Sequence, residues 1–190
     1  MRKKKNAMSM RTRAEQMRGR ARDRRGFTLI ELLVVVAVIL IIAAIAIPSF
    51  LRSKMAANEA AAVSNLRAMT TAATVYSASW SNGYPPDLPT MGGPGPVATC
   101  TQANLLDPLM TTAPFQKSGY TFGYSGVGPN TAPIAGCVPG FNAYLATAVP
   151  ITVSFTGQRS FCSDVPGVIH YDITGSAIAS VAACDALPSL

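Results

Sequence analysis

Groups that could perform catalysis are scarce in this sequence. Its only histidine, His170, lies in a predicted strand beside Tyr171, with no nucleophile near it in the sequence. No glycine-rich phosphate loop is present, because the glycines near 92–95 are interrupted by proline and precede no helix. The acidic residues are scattered and lack the Asp-x-Asp-x-Asp spacing of a calcium loop. We therefore predict that the protein is not an enzyme and uses no metal or cofactor.

Basic residues are also scarce, except at the N-terminus. Eleven of the 16 lysines and arginines fall within residues 1–26, where only Glu15 and Asp23 oppose them. Residues 27–190 keep five basic and seven acidic residues, a formal net charge of −2. The sequence pI of about 9.5 therefore describes the N-terminal segment, and it gives no ground for predicting nucleic-acid binding.

One long apolar run follows this basic segment directly. Among the 21 residues from Phe27 to Ile47, only Thr28 and Glu31 are polar. As a helix the run would reach roughly 32 Å, enough to cross a hydrocarbon core of about 30 Å. The basic flank predicts a cytoplasmic N-terminus, with everything after Pro48 outside. Glu31 is the exception in this run, since a carboxylate in a membrane span is costly and by default functional.

The start of the run carries a recognisable motif, Arg24-Arg25-Gly26-Phe27-Thr28-Leu29-Ile30-Glu31. It resembles the N-terminal signature of type IV pilins and of the related type II secretion pseudopilins. The resemblance implies that a prepilin peptidase cuts after Gly26, that the new amino terminus at Phe27 is methylated, and that Glu31 supports assembly into a helical filament. Residues 1–26 would then be a basic leader that is removed. The sequence leaves its true start open between Met1, Met8, Met10 and Met17.

The chemistry of these residues fits such processing. Gly26 would give a peptidase an unhindered scissile position. The cleaved chain would carry a cationic amine at Phe27, four residues before Glu31. Because an unpaired carboxylate is costly in an apolar filament core, we expect Glu31 to face the Phe27 amine of a neighbouring subunit and to fix the axial stagger. The alternative is a protonated Glu31 that faces lipid or reaches the membrane surface.

Helical patterning continues beyond Pro48 to about residue 81. Proline removes one backbone hydrogen bond and clashes with the preceding turn, so we predict a helix break at Pro48, either a bend or local melting. Alanine-rich residues 55–63 favour helix. An apolar stripe at steps of three and four is predicted to lie against a sheet: Leu66, Met69, Ala73, Tyr76 and Trp80. The helix should end at Ser81-Asn82-Gly83.

The remainder of the chain predicts a loop region followed by a sheet. Residues 82–118 are rich in proline, glycine and threonine and form the variable loop, with a possible helical turn at 102–109. Strands are predicted at 119–124, at 143–149 with an optional extension over 151–155, and at 160–163 and 168–172, before a tail at 177–190. We therefore predict an α+β fold of the type IV pilin kind, with the outer half of the long helix (27–81) packed on a three- to four-stranded antiparallel sheet within 119–190.

The cysteines all lie on the predicted outer side: Cys100, Cys137, Cys162 and Cys184. An even number in an exported domain predicts two disulfides, and the spacings are too wide for a CxxC redox site or a zinc knuckle. Three connectivities are possible. Short loops close more easily, which favours Cys100–Cys137 and Cys162–Cys184.

Together these features favour a structural subunit of a type IV pilus. It would wait in the inner membrane, be processed after Gly26 and polymerise through its N-terminal helix into an extracellular pilus for adhesion, motility or DNA uptake. Its partners would be copies of itself, prepilin peptidase, the inner-membrane assembly platform and, before assembly, the membrane. Two alternatives stay open. One is a secretion pseudopilin, with a calcium site near Asp164 and Asp172; the other is a minor pilin that binds a ligand, or DNA through a patch at Lys117 and Arg159.

Overall fold

The computed structural model describes residues 26–130 and 134–190. The leader, apart from Gly26, and the four candidate start methionines lie outside the described residues. The chain divides into two compact units, one that ends at Ala46 and one that spans Ile47–Leu190, and we describe each by itself. We call residues 27–46 the N-terminal segment and Ile47–Leu190 the outer domain.

The longest element, helix α1, runs from Leu29 to Trp80 and so begins in the N-terminal segment and ends in the outer domain. Pro48 lies inside it, and the helix continues through the proline without interruption. The predicted helix break, in the form of local melting, is therefore wrong. A single missing hydrogen bond is offset here by good helix formers on both sides, and the bend at Pro48 stays a prediction.

Apart from Thr28 and Glu31 at its start, the N-terminal segment is apolar on every side of the helix. Its large side chains are exposed, for example by 81% at Leu29 and 73% at Ile45. A helix of a soluble domain normally has one apolar stripe and an opposite polar face, whereas a helix that is apolar all round needs an apolar surrounding. By length and composition α1 is able to cross a membrane.

In the outer domain, α1 is amphipathic and its apolar stripe is buried. Leu66, Met69, Ala73 and Tyr76 are completely buried, and half-buried Trp80 lies 4.9 Å from the ring of Tyr76. The buried members of the stripe, other than Tyr76, share one core cluster with four aromatic residues of the sheet: Tyr120, Phe122, Tyr144 and Phe161. The predicted packing of the outer half of the helix on a sheet is thus confirmed.

The sheet has five antiparallel strands in the order of the sequence, β1-β2-β3-β4-β5. They are β1 Gln116–Lys117, β2 Tyr120–Pro129, β3 Phe141–Pro150, β4 Ser160–Asp164 and β5 Ile169–Asp172. The α+β class is confirmed, but three to four strands was an underestimate. The extra strand, β1, has two residues and lies inside the predicted loop region, where so short a run shows no alternation.

Strand β3 ends at Pro150, and residues 151–155 do not extend it. Proline has no N–H to donate to a neighbouring strand, so it fits best at a strand end. The next residues form a tight loop in which the Thr156 hydroxyl donates to the carbonyl oxygen of Thr152 at 3.1 Å.

Two short helices lie between α1 and the sheet, and a third precedes the C-terminus. Helix α2 spans Leu88–Met91, α3 spans Pro108–Thr111 and α4 spans Val181–Asp185. The side chain of Asp107 caps α3 by accepting from the backbone N–H of Leu109 at 2.8 Å. The helical turn predicted at 102–109 was therefore placed too early, because the Asp-Pro pair starts the helix at residue 108.

Candidate functional site

The peptide bond between Gly26 and Phe27 lies in open, non-helical backbone. Residues 26–28 precede the first helical residue, Leu29, and the Phe27 side chain is 82% exposed. A Cβ placed on Gly26 would meet no atom of the described residues within 4 Å. A non-helical, unhindered peptide bond of this kind is accessible to a peptidase.

Thr28 and Glu31 close the first turn of α1 by bonding to each other. The Glu31 backbone N–H donates to Thr28 Oγ1 at 3.3 Å, while Glu31 Oε2 accepts from the Thr28 N–H at 2.8 Å and from the Thr28 hydroxyl at 2.7 Å. This reciprocal arrangement is a capping box. Sequence analysis missed it, although a Thr followed three residues later by a Glu before an apolar run is the signal that could have found it.

The capping box orients the Glu31 carboxylate without using all of it. Among the described residues only Thr28 bonds to the Glu31 side chain, and both bonds end on Oε2. Oε1 therefore keeps its capacity to accept a hydrogen bond from a donor outside the chain. The site thus consists of one partly occupied carboxylate at the start of an exposed apolar helix.

The apolar surface next to this carboxylate is long and continuous in sequence. Every large apolar side chain between Phe27 and Leu51 is at least 39% exposed. Isolated exposed apolar residues are normal on a protein, but a contiguous surface of this size marks an interface or a membrane contact.

The structure joins Cys100 to Cys137 and Cys162 to Cys184, with Cα–Cα distances of 5.3 and 6.0 Å. This is the connectivity that short loops favour. Cys162 and Cys184 are completely buried and join β4 to α4, whereas Cys100 and Cys137 are half-buried. Both bonds lie in the outer domain and leave the N-terminal segment unconstrained.

His170 has a structural contact in the outer domain. Its Nδ1 lies 2.7 Å from the carbonyl oxygen of Leu187, and the same residue forms a β-bridge with Ser189. The C-terminal residues are thereby held against β5.

The two acids proposed for a calcium site are not brought together. Asp164 ends β4, whereas Asp172 pairs with Ser160 at the other end of that strand. Four residues of strand correspond to roughly 13 Å, too far for one ion. Asp172 instead accepts from the Thr174 hydroxyl at 2.6 Å, and within residues 26–130 and 134–190 there is no group of three side chains suited to a metal.

The two cations proposed for a DNA patch are each paired with a carboxylate. Lys117 Nζ lies 3.1 Å from Asp107 Oδ2, and Arg159 Nη2 lies 2.8 Å from Glu59 Oε2. Pairing of this kind reduces the positive potential that a phosphate backbone requires.

Glu59 links α1 to the residues that directly precede β4. Its Oε1 accepts from the backbone N–H groups of Gln158 (2.8 Å) and Arg159 (3.1 Å), and its Oε2 accepts from Arg159 Nε at 2.9 Å. Burial by itself would raise the pKa of Glu59, but these hydrogen bonds from Gln158 and Arg159 outweigh it and leave the pKa below its ordinary value. Sequence analysis missed this contact, since its partners are about 100 residues apart.

Comparisons with known proteins concern the same N-terminal residues. Residues 21–47 match the family model described as the prokaryotic N-terminal methylation motif. Over 48 residues the chain is 54% identical to the Type IV major pilin protein PilA of Myxococcus xanthus (strain DK1622). That match covers 25% of this chain and 22% of the relative. No solved structure gives a significant match.

These matches confirm the resemblance to type IV pilins that the motif at 24–31 indicates. The relative carries the name of a type IV major pilin, and the family model describes a methylation motif. The family model ends where the outer domain begins, so it leaves open what the sheet and loops of that domain do.

Proposed function

We propose that the protein is a type IV pilus subunit that is cut after Gly26, methylated at Phe27 and polymerised through its N-terminal segment. The observation that carries this proposal is the exposed, uniformly apolar helix that follows a non-helical Gly26–Phe27 bond. Burial of apolar surface contributes about 25 cal/mol per Å², so the packing of many copies along this helix would dominate the stability of a filament.

Glu31 would set the register between neighbouring copies. After cleavage, the Phe27 amine is the cation nearest to Glu31 in sequence, and Oε1 is left available by the capping box. Between packed helices, an amine facing this oxygen would compensate a charge that otherwise has no partner. Displaced registers would leave both charges buried and unpaired, which is strongly unfavourable.

The leader and the membrane belong to the steps before assembly. In this proposal residues 1–26 stay in the cytoplasm, the N-terminal segment crosses the inner membrane and the outer domain lies outside. Prepilin peptidase and an inner-membrane assembly platform would act on the chain in that state, and the extracellular pilus would be the final location.

The processing step is tested by mass spectrometry of filaments sheared from the cell surface. We expect a mature chain that begins with N-methylated Phe27. Filaments built from chains that retain residues 1–26 would overturn the proposal. Two results together would favour a pseudopilin instead: loss of protein secretion when the gene is deleted, and the absence of surface filaments from wild-type cells.

The role of Glu31 is tested by a pair of variants that separate charge from helix capping. Glu31→Gln keeps a side chain that can serve in a capping box but removes the charge, whereas Thr28→Val removes the capping hydroxyl and keeps the charge. We expect Glu31→Gln to reduce filament yield by about tenfold or more, because it breaks a buried charge pair. Thr28→Val should assemble nearly normally. The reverse order of defects would refute the pairing and assign Glu31 to capping.

A further inference from the structure

A cleft of about 450 Å³ opens on the outer domain, between α1 and the turn that joins β4 to β5. Three threonines of the helix line one side: Thr70, Thr71 and Thr74. Tyr84 and Tyr144 line the cleft as well, and residues 165–167 of the turn form another part of its lining. No lining residue is an aspartate, glutamate, lysine, arginine or histidine.

The threonines present oxygen atoms that can only accept hydrogen bonds. The hydroxyls of Thr70 and Thr71 both donate to the carbonyl oxygen of Arg67, at 2.8 and 2.9 Å, and Thr74 donates to that of Thr70 at 2.9 Å. A hydroxyl has one proton and two acceptor positions. A ligand that bonds to these oxygens must therefore supply the donors.

Half-buried Tyr84 adds aromatic surface to this row of acceptors, whereas Tyr144 is only 2% exposed and supports the ring of Tyr84. The ring of Tyr144 is in edge-to-face contact with Tyr84 at 5.0 Å and stacks on Tyr124 at 5.4 Å, so it is fixed in place. Burial, with smaller contributions from the neighbouring groups of Tyr84 and Asp164, raises the pKa of Tyr144 to about 12.

We propose that this cleft binds a neutral glycan chain. Such a ligand carries several hydroxyl donors, apolar C–H faces that pack on aromatic rings, and no charge that the cleft would leave unpaired. Thr70 and Thr74 lie one helical turn apart, about 6 Å along the axis, a spacing comparable to one sugar ring. Anions and cations are disfavoured because no lining side chain compensates them.

The proposal does not depend on polymerisation, since every lining residue lies between 47 and 190. It is tested on the full chain solubilised in lauryldimethylamine oxide, a detergent without a sugar headgroup. The probes are cellohexaose, maltohexaose and chitohexaose, and the readout is saturation-transfer difference NMR. We expect binding of at least one of the three hexasaccharides.

The variant Thr71→Val/Thr74→Val removes two acceptor oxygens from exposed positions of the helix while keeping branched side chains of similar volume. It should weaken binding by about tenfold. The matched control is Thr152→Val, an exposed threonine outside the cleft, which should bind like the wild type. Unchanged melting by circular dichroism would show that the double variant is folded.

Two outcomes would overturn the proposal: the absence of binding to all three hexasaccharides, and equal binding by the double variant and the wild type. In the first case, loss of filament assembly in the double variant would assign the cleft to contact between copies of the chain.

Discussion

The two parts of helix α1 differ in how their apolar residues are arranged, and they meet opposite surroundings. Before Ala46 the helix is almost entirely apolar and its side chains are exposed, with Ile45 at 73%. After Ile47 it has fewer apolar residues, yet Leu66 and Met69 are completely buried. Burial within the chain therefore follows the pattern of apolar residues and not their number.

The difference has a simple physical cause. An amphipathic stripe can be satisfied by one sheet, because only one side of the helix needs covering. A helix that is apolar all round cannot be covered by one sheet and requires a lipid bilayer or several neighbouring helices. The N-terminal segment therefore depends on other molecules, whereas the outer half of α1 is stabilised by its own chain.

The largest expected effect is a difference in stability loss between side-chain truncations in the two parts of α1. Leu66→Ala should lower the free energy of unfolding of the outer domain by about 2–5 kcal/mol, because it leaves a cavity in the core. Ile39→Ala, a truncation of comparable size in the N-terminal segment, should change it by no more than about 0.5 kcal/mol. Urea denaturation of the full chain in detergent, followed by Trp80 fluorescence, measures both. Equal losses would remove the distinction.

The next largest effect on stability comes from the two disulfide bonds, both of which lie in the outer domain. The chain-entropy model assigns about 3–4 kcal/mol to each disulfide for sequence separations of 37 and 22 residues. Under mild reduction, Cys100–Cys137 should open first, because Cys162 and Cys184 are completely buried. Alkylation and peptide mapping give the order. If Cys162 and Cys184 were labelled before Cys100 and Cys137, the result would contradict the burial of that pair.

The link between Glu59 and Arg159 predicts a dependence on pH. Since hydrogen bonds hold the folded-state pKa of Glu59 below its ordinary value of 4.5, its contribution is present above that value and is lost as the pH falls through the folded-state pKa. Glu59→Gln should cost about 1–3 kcal/mol near pH 7 and little in strong acid. Urea titrations at several pH values test this, and a constant difference would refute it.

The smallest expected effect on stability is that of Asp164, and its dependence on pH is opposite in sign to that of Glu59. Burial, together with the neighbouring Asp185 carboxyl, raises the pKa of Asp164 above its ordinary value of 3.8. Stability is therefore lost as the pH rises through the folded-state pKa. Asp164→Asn should raise the free energy of unfolding near pH 7, by less than Glu59→Gln lowers it, and leave it unchanged in strong acid. Destabilisation near pH 7 would indicate that Asp164 is paired with a cation.

Patterns that repeat along the chain were readable from the sequence. The apolar stripe from Leu66 to Tyr76 has helical spacing, and the strand near Tyr120 alternates aromatic with small residues. Residues 164–167 contain the Pro-Gly pair of a turn. All three features occur in the structure. Gly26, Phe27 and Glu31 could be predicted as site residues because their motif is local and specific, and their roles stay predictions.

Features that depend on distant residues were not readable. The contact of Glu59 with Arg159 and the cleft beside Thr74 both arise when the helix meets loops about 90 to 100 residues later in the chain. Strand β1 is too short to show a pattern. The capping box of Thr28 and Glu31 is different, since its signal was present and was overlooked in favour of a role between subunits.

The dependence of the N-terminal segment on other copies is tested most directly by photo-crosslinking within purified surface filaments. A benzophenone amino acid at position 39 is the probe, and the same residue at the exposed position 79 of the outer half of α1 is the comparison. We predict a ladder of covalent multimers from position 39, with adducts that map to residues 27–46 of another copy. Filaments in which position 39 yields only monomers would contradict this prediction.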